Sequence, residues 1–166
     1  MARMKGIPQD FFERYISELA YRRKPTGKGL QPHYHLETPH GTVAVDLASY
    51  ENVEMISLHA SQAERRAAMY QDLKVPYLLV LWKGGGLPGP EHRVIRKALQ
   101  RQRPRIISAI ALLEGRPGHE HLRVFHNPFA ESRLDKNVFD APRDKHYDLV
   151  EVSEPQHSSW IAEETT

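Results

Sequence analysis

The chain has 166 residues, a formal net charge of +2 and no cysteine. No apolar run approaches the ~20 residues that a membrane-spanning helix needs, and disulfides and thiolate metal sites are excluded. We therefore expect a soluble, cytoplasmic protein without a membrane partner. Its length and even composition predict a single α/β domain over residues 1–154, followed by a polar tail over residues 155–166.

The first third of the chain predicts one helix and a pair of strands. Apolar residues recur at helical spacing in Asp10–Tyr21, which predicts an amphipathic helix. Arg22–Gln31 is basic and rich in proline and glycine, which is typical of a loop. His33–Leu36 is predicted to be a strand that pairs with Thr42–Leu47 across a short turn.

The central block predicts two strands, a helix and a buried strand. The two short strands are expected at Thr42–Leu47 and Asn52–Leu58, and the helix at Ser61–Leu73. Val75–Trp82 is almost continuously apolar, which is typical of an interior strand buried on both faces of a mixed sheet.

The last part of the chain alternates loops with shorter elements. Lys83–Pro90 is predicted to be a loop because glycine and proline dominate it, and Glu91–Gln102 is predicted to be a basic helix. Two further strands are expected at Leu122–Phe125 and Tyr147–Val152. Arg105–Leu113 is compatible with a buried strand or a second short helix, and we favour the strand. From Pro155 the residues are polar, which favours a frayed tail.

Two acids lie inside the predicted central strands. A carboxylate in an otherwise apolar strand is costly to bury unless it has a partner. Asp46 and Glu54 are expected to be neighbours across a hairpin, where they would hold Mg²⁺ or Mn²⁺ for hydrolysis of a phosphodiester. Under this hypothesis Asp46→Asn abolishes cleavage and leaves folding intact.

This order of elements resembles the PD-(D/E)XK nuclease superfamily, in which an acidic strand is followed by a helix and an apolar strand. The resemblance implies a restriction-endonuclease-like α/β fold, a central mixed sheet flanked by helices, and a magnesium site at Asp46 and Glu54. That family's second motif is an acid, any residue, then lysine, whereas here Ile56 stands at the lysine position. His59 is the residue that we expect to replace the lysine in orienting water.

A basic helix supplies the predicted contact with nucleic acid. Its cations recur at helical spacing, so they would face one backbone of phosphates. DNA is preferred to RNA as the expected partner. The predicted contact residues are Arg93, Arg96, Lys97 and Arg101.

Two alternatives remain open. The missing lysine favours a non-catalytic module of the same fold, which would bind nucleic acid or join a homodimer or another assembly. The other alternative rests on His33-Tyr34-His35, which resembles the His-hydrophobe-His motif of rolling-circle replication nucleases. In that interpretation His33 and His35 hold the metal and Tyr70 attacks the DNA.

Overall fold

The computed structural model describes residues 7–24, 30–70, 73–83, 89–151 and 158–162. It is an α/β fold in which one mixed sheet lies between helices. The described helices are α1 (Ile7–Glu18), α2 (Met55–Ala67) and α3 (Glu91–Gln102). The described strands are β1 (Arg22–Lys24), β2 (Tyr34–Thr38), β3 (Gly41–Tyr50), β4 (Tyr77–Lys83), β5 (Ile107–Glu114), β6 (His121–His126), β7 (Lys145–Glu151) and β8 (Ser158–Ala162).

The strands lie in the sheet in the same order as in the chain, from β1 to β8. β1, β2 and β3 form an antiparallel meander. β3, β4 and β5 are parallel to one another, with α2 and α3 as their connections. β6 is antiparallel to β5, β7 is parallel to β6, and β8 is antiparallel to β7.

Alternation along β3 divides the core between the two faces of the sheet. Val45 and Leu47 pack with α1 in one apolar cluster, whereas Ala44 belongs to the cluster formed with α2 and α3. Successive strand residues point to opposite faces, so Asp46 lies on the face that α2 covers. The helices thus form one layer on each side of the sheet.

Several sequence predictions are confirmed. Glu91–Gln102 is helical over the whole predicted range, and the predicted pairing of the first two strands appears as antiparallel β2 and β3, with Leu36 opposite Val43. The strand predicted at Arg105–Leu113 is β5, and those predicted around Leu122 and Tyr147 are β6 and β7. The first helix begins and ends three residues earlier than predicted.

Two loop predictions fall partly outside the described residues. Within Arg22–Gln31, the structure has strand β1 at Arg22–Lys24, and residues 25–29 lie outside the described part. Within Lys83–Pro90, Lys83 ends β4, and residues 84–88 again lie outside it. The prediction of a frayed tail is wrong over Ser158–Ala162, because this segment forms β8 and pairs with β7.

The prediction of a strand at Asn52–Leu58 is wrong. β3 continues to Tyr50, and α2 begins at Met55, with Glu54 at its N-cap position. Asn52 starts the turn, because its side-chain oxygen accepts the Glu54 backbone N–H at 3.0 Å. The buried residues of α2 recur three and four apart, which is the spacing of one helix face; they are Ile56, Ala60, Ala63 and Ala67.

The interior position of β4 predicts slow hydrogen exchange. Leu78 to Leu81 are buried and lie between two parallel strands, so their amides open only in rare, large fluctuations. We expect them to exchange at least about a hundredfold more slowly than the amides of the exposed strand β1. Hydrogen exchange followed by mass spectrometry measures both, and equal rates would contradict this sheet order.

Candidate functional site

Asp46 is a buried carboxylate with three hydrogen-bond donors. Its exposed fraction is 5%. Oδ1 accepts the backbone N–H of His33 at 2.9 Å. Oδ2 accepts the hydroxyl of Tyr77 at 2.6 Å and also the hydroxyl of Tyr70. These bonds provide both oxygens of the buried carboxylate with donors.

The hydrogen bonds of His33 fix its tautomer. The backbone N–H of Leu47 donates to His33 Nδ1 at 2.8 Å. Because an amide can only donate, Nδ1 carries no proton, and the neutral ring carries its proton on Nε2. The 3.4 Å approach of Nδ1 to Asp46 Oδ1 is therefore a close contact between acceptors and not an ion pair.

A cavity of about 210 Å³ lies between β3 and α2 beside this carboxylate. Asp46 and His33 line it from the sheet side, and His59, Gln62 and Arg66 line it from α2. His59 Nε2 is buried and has no hydrogen-bond partner among the described residues. The structure therefore brings Asp46 and His59 to one cavity.

Glu54 lies elsewhere. It is exposed at the start of α2, and it is absent from the described lining of the Asp46 cavity. A carboxylate at this position interacts favourably with the positive end of the helix dipole. Its proximity to Asp46 was expected from a hairpin that the chain does not form.

The residues around the cavity do not fit a magnesium site in this arrangement. Mg²⁺ needs oxygen ligands in near-octahedral geometry, and both oxygens of Asp46 already accept hydrogen bonds from protein donors. His33 presents an N–H, and Arg66 adds a positive charge to the lining. In the described part of the chain, no group of three or more His, Cys, Asp or Glu side chains is placed to hold a metal ion.

The histidine pair is divided between two cavities. His33 lines the Asp46 cavity, whereas His35 lines a neighbouring cavity with Lys24 and Tyr70. Burial and the charge of Lys24 lower the pKa of His35. Burial and the bond to Asp46 raise the pKa of Tyr70, which is the reverse of what an attacking phenolate needs. The three side chains therefore lack the arrangement that a histidine-pair nuclease requires.

The outer surface formed by α2 and α3 is the other candidate site. The two helices pack side by side, and the Gln102 amide donates to the Ser57 carbonyl at 3.0 Å. Arg93, Lys97 and Arg101 are exposed on α3, and Arg96 is half-buried. Arg65 and Arg66 are exposed on α2. We call these six residues the basic layer.

The only acids within α2 and α3 are Glu64 and Glu91, and both have partners inside the fold. Glu64 accepts the backbone N–H groups of Arg105, Ile106 and Ile107 at 2.9 to 3.2 Å. Glu91 is buried and accepts the Tyr50 hydroxyl at 3.0 Å. Neither glutamate is thus placed to balance the exposed charges of Arg65, Arg93, Lys97 and Arg101.

Sequence reasoning missed Arg65 and Arg66 as parts of this surface. The signal was present, because the two arginines follow one another on a predicted helix. Their location on the same side of the sheet as α3 was not visible, since it depends on both crossover helices lying on one face of the sheet. Arg66 also lines the Asp46 cavity, so this side chain lies at the boundary between the cavity and the basic layer.

No family model, curated protein or solved structure matches this chain. Across the parts that the structure describes, none of the helices has the length and apolarity to cross a membrane.

Proposed function

We propose that this protein binds the phosphate backbone of nucleic acid through the basic layer and does not hydrolyse it at Asp46. The observation that carries the proposal is the charge asymmetry of α2 and α3. Arg65, Arg93, Lys97 and Arg101 are exposed on these helices, while the two glutamates of α2 and α3 accept hydrogen bonds from other parts of the fold. Such a surface attracts a polyanion and releases its counterions on contact.

Two interpretations were based on the resemblance to the PD-(D/E)XK family, a nuclease and a non-catalytic binding module. The order of elements together with the contacts of Asp46 supports the non-catalytic module. An acidic strand, β3, is followed by a helix and an apolar strand, as in that family's core. The acid itself has a structural role, because two tyrosines and a backbone amide hold it. A restriction-endonuclease-like fold without the metal site is therefore part of the proposal, and DNA is the first partner to test.

The test compares two variants with the same net charge. One replaces four exposed cations of the basic layer with glutamine: Arg65, Arg93, Lys97 and Arg101. The matched control replaces four exposed cations outside α2 and α3: Arg22, Lys24, Arg116 and Arg133. We expect the first variant to lose about a hundredfold in affinity for duplex DNA at low salt, and its log–log salt slope to fall by about 3 to 4.

Equal losses in both variants would show an effect of net charge alone and would contradict a specific surface. Absence of DNA and RNA binding by the unaltered protein at low salt would remove the proposal altogether. Incubation with plasmid in Mg²⁺ or Mn²⁺ tests the second part of the proposal, which is that the protein does not hydrolyse nucleic acid at Asp46. We expect intact plasmid, and cleavage that requires both Asp46 and His59 would restore the nuclease hypothesis.

A further inference from the structure

A third cavity lies where the three parallel strands end. β3 ends at Tyr50, β4 at Lys83 and β5 at Glu114, and parallel strands bring these ends to one edge of the sheet. The cavity there has a volume of about 440 Å³, within the range of ~300–1,000 Å³ that is typical of ligand pockets. In open α/β sheets, ligands bind outside the carboxyl ends of the strands.

One wall of this cavity is aromatic. Trp82 is half-buried, and its ring stacks on Phe11 with 5.8 Å between centroids and 27° between planes. The Arg14 guanidinium carbon lies 4.7 Å from the centre of the same Phe11 ring. Phe11 is thus held by two neighbours, and the indole of Trp82 is a preformed flat surface at the edge of the sheet.

Two cations in the lining are held in fixed positions by carboxylates. Arg123 donates from Nε and Nη2 to the two oxygens of Glu114, each at 2.9 Å. Lys83 Nζ lies 3.6 Å from Glu91 Oε2. Glu91 is held in turn by the Tyr50 hydroxyl and, at 3.1 Å, by the Gly89 backbone N–H. The bidentate pair orients the guanidinium before any ligand arrives.

These features restrict the class of ligand. A wholly apolar molecule would have to desolvate two ion pairs, which is costly. A bare anion gains little, because Glu91 and Glu114 offset the charges of Lys83 and Arg123. A molecule with a flat aromatic group and one anionic group uses both the indole and the cations.

We propose that this cavity binds a mononucleotide, with the base against Trp82 and the phosphate at Arg123 and Lys83. The site is separate from the basic layer and does not depend on binding of polymeric nucleic acid there. Base stacking on an aromatic side chain contributes affinity for any nucleobase, and the phosphate adds charge-assisted hydrogen bonds.

Tryptophan fluorescence tests the site directly. The chain has two tryptophans, Trp82 and Trp160, so Trp160→Phe leaves Trp82 as the only reporter. We expect adenosine 5′-monophosphate to quench its fluorescence with saturation. Adenosine, which lacks the phosphate, should bind about tenfold more weakly. Ribose 5-phosphate, which lacks the base, should give no quenching at the same concentrations.

Variants in this background separate the site from the rest of the surface. Arg123→Gln should weaken binding of adenosine 5′-monophosphate about tenfold, whereas the exposed Arg116→Gln should leave it unchanged. Lys83→Gln provides a second variant if Arg123→Gln unfolds, which circular dichroism would show. Arg93→Gln should weaken DNA binding and leave nucleotide quenching unaltered, so the two proposals can fail independently.

Three results would overturn the proposal. The first is no saturable quenching up to about 10 mM nucleotide, since such weak binding has no specific site behind it. The second is equal quenching by the nucleotide and by ribose 5-phosphate. The third is unchanged affinity in folded Arg123→Gln and Lys83→Gln chains.

Discussion

Replacing Asp46 with asparagine is expected to lower the free energy of unfolding by about 3 kcal/mol. The Asp46 carboxylate accepts two tyrosine hydroxyls and the His33 amide inside the protein. An asparagine side chain has one oxygen and an NH₂ group, so in either orientation its NH₂ faces a protein donor, either the two tyrosine hydroxyls or the His33 amide, and that donor loses its acceptor. Urea denaturation of the two proteins measures the difference.

The expected loss separates a structural carboxylate from a catalytic one. From the sequence, removal of a charge at a metal site should leave folding intact, so the two accounts predict opposite results. Glu54→Gln is the matched control, because this exposed acid should change stability by no more than about 0.5 kcal/mol. Asp46→Asn should also lower the free energy of unfolding by less in a chain that carries Tyr70→Phe and Tyr77→Phe, since both hydroxyl donors are then absent.

Acidification is expected to destabilise the fold through the histidine pair of β6 and β7. His126 and His146 are buried, and His126 Nε2 lies 2.7 Å from His146 Nδ1. His146 Nε2 lies 2.7 Å from the Phe139 carbonyl, which only accepts, so Nε2 carries the proton. His146 Nδ1 is then the acceptor in the neutral pair, and His126 Nε2–H is the donor.

Burial, followed by the neighbouring His146, lowers the pKa of His126 from 6.5 to about 3. The unfolded chain therefore takes up a proton at His126 as pH falls below about 6.5, while the folded protein does not. The contribution of the neutral His126 to the free energy of unfolding is complete above pH 6.5 and is lost progressively as the pH falls to about 3. The expected loss is about 5 kcal/mol, because one pKa unit corresponds to about 1.4 kcal/mol.

Other charged groups act on this pair and must be held constant. Asp148 raises the pKa of His126, whereas Lys136 and Arg133 lower it, and Lys136 Nζ pairs with Asp148 at 2.5 Å. His126→Gln leaves these groups in place and keeps a donor toward His146. We expect the variant to show a flatter dependence of unfolding free energy on pH between 6.5 and 3. Parallel curves for the two proteins would contradict the assignment.

Local patterns were sufficient to predict much of the fold. α3 follows from helical spacing in Glu91–Gln102 and from the proline that follows it, and β4 follows from its continuous apolar character. The failure at Asn52–Leu58 arose because seven residues with alternating apolar character are compatible with either a strand or the first turns of a helix. The helix became evident only with the buried alanines further on.

The candidate site could be predicted only in part. Asp46 and His59 were identified, and both line one cavity. Two of the three donors to Asp46 are Tyr70 and Tyr77, which lie 24 and 31 residues further along the chain, and no local pattern links them to it. The cavity lined by Tyr50, Trp82 and Arg123 was likewise not predicted, because its lining residues come from separate elements of the chain.

The sequential order of the strands has a consequence for synthesis of the protein. Among the described residues, each strand from β2 onward pairs with the strand that precedes it in the chain, so none of these eight strands must wait for a distant, later segment to find its first neighbour. Pairing between elements that are close in the chain carries a small loop-closure entropy and favours fast folding. The sheet can therefore grow from its first meander while the remainder of the chain is still on the ribosome, and each new strand covers the edge exposed by the last.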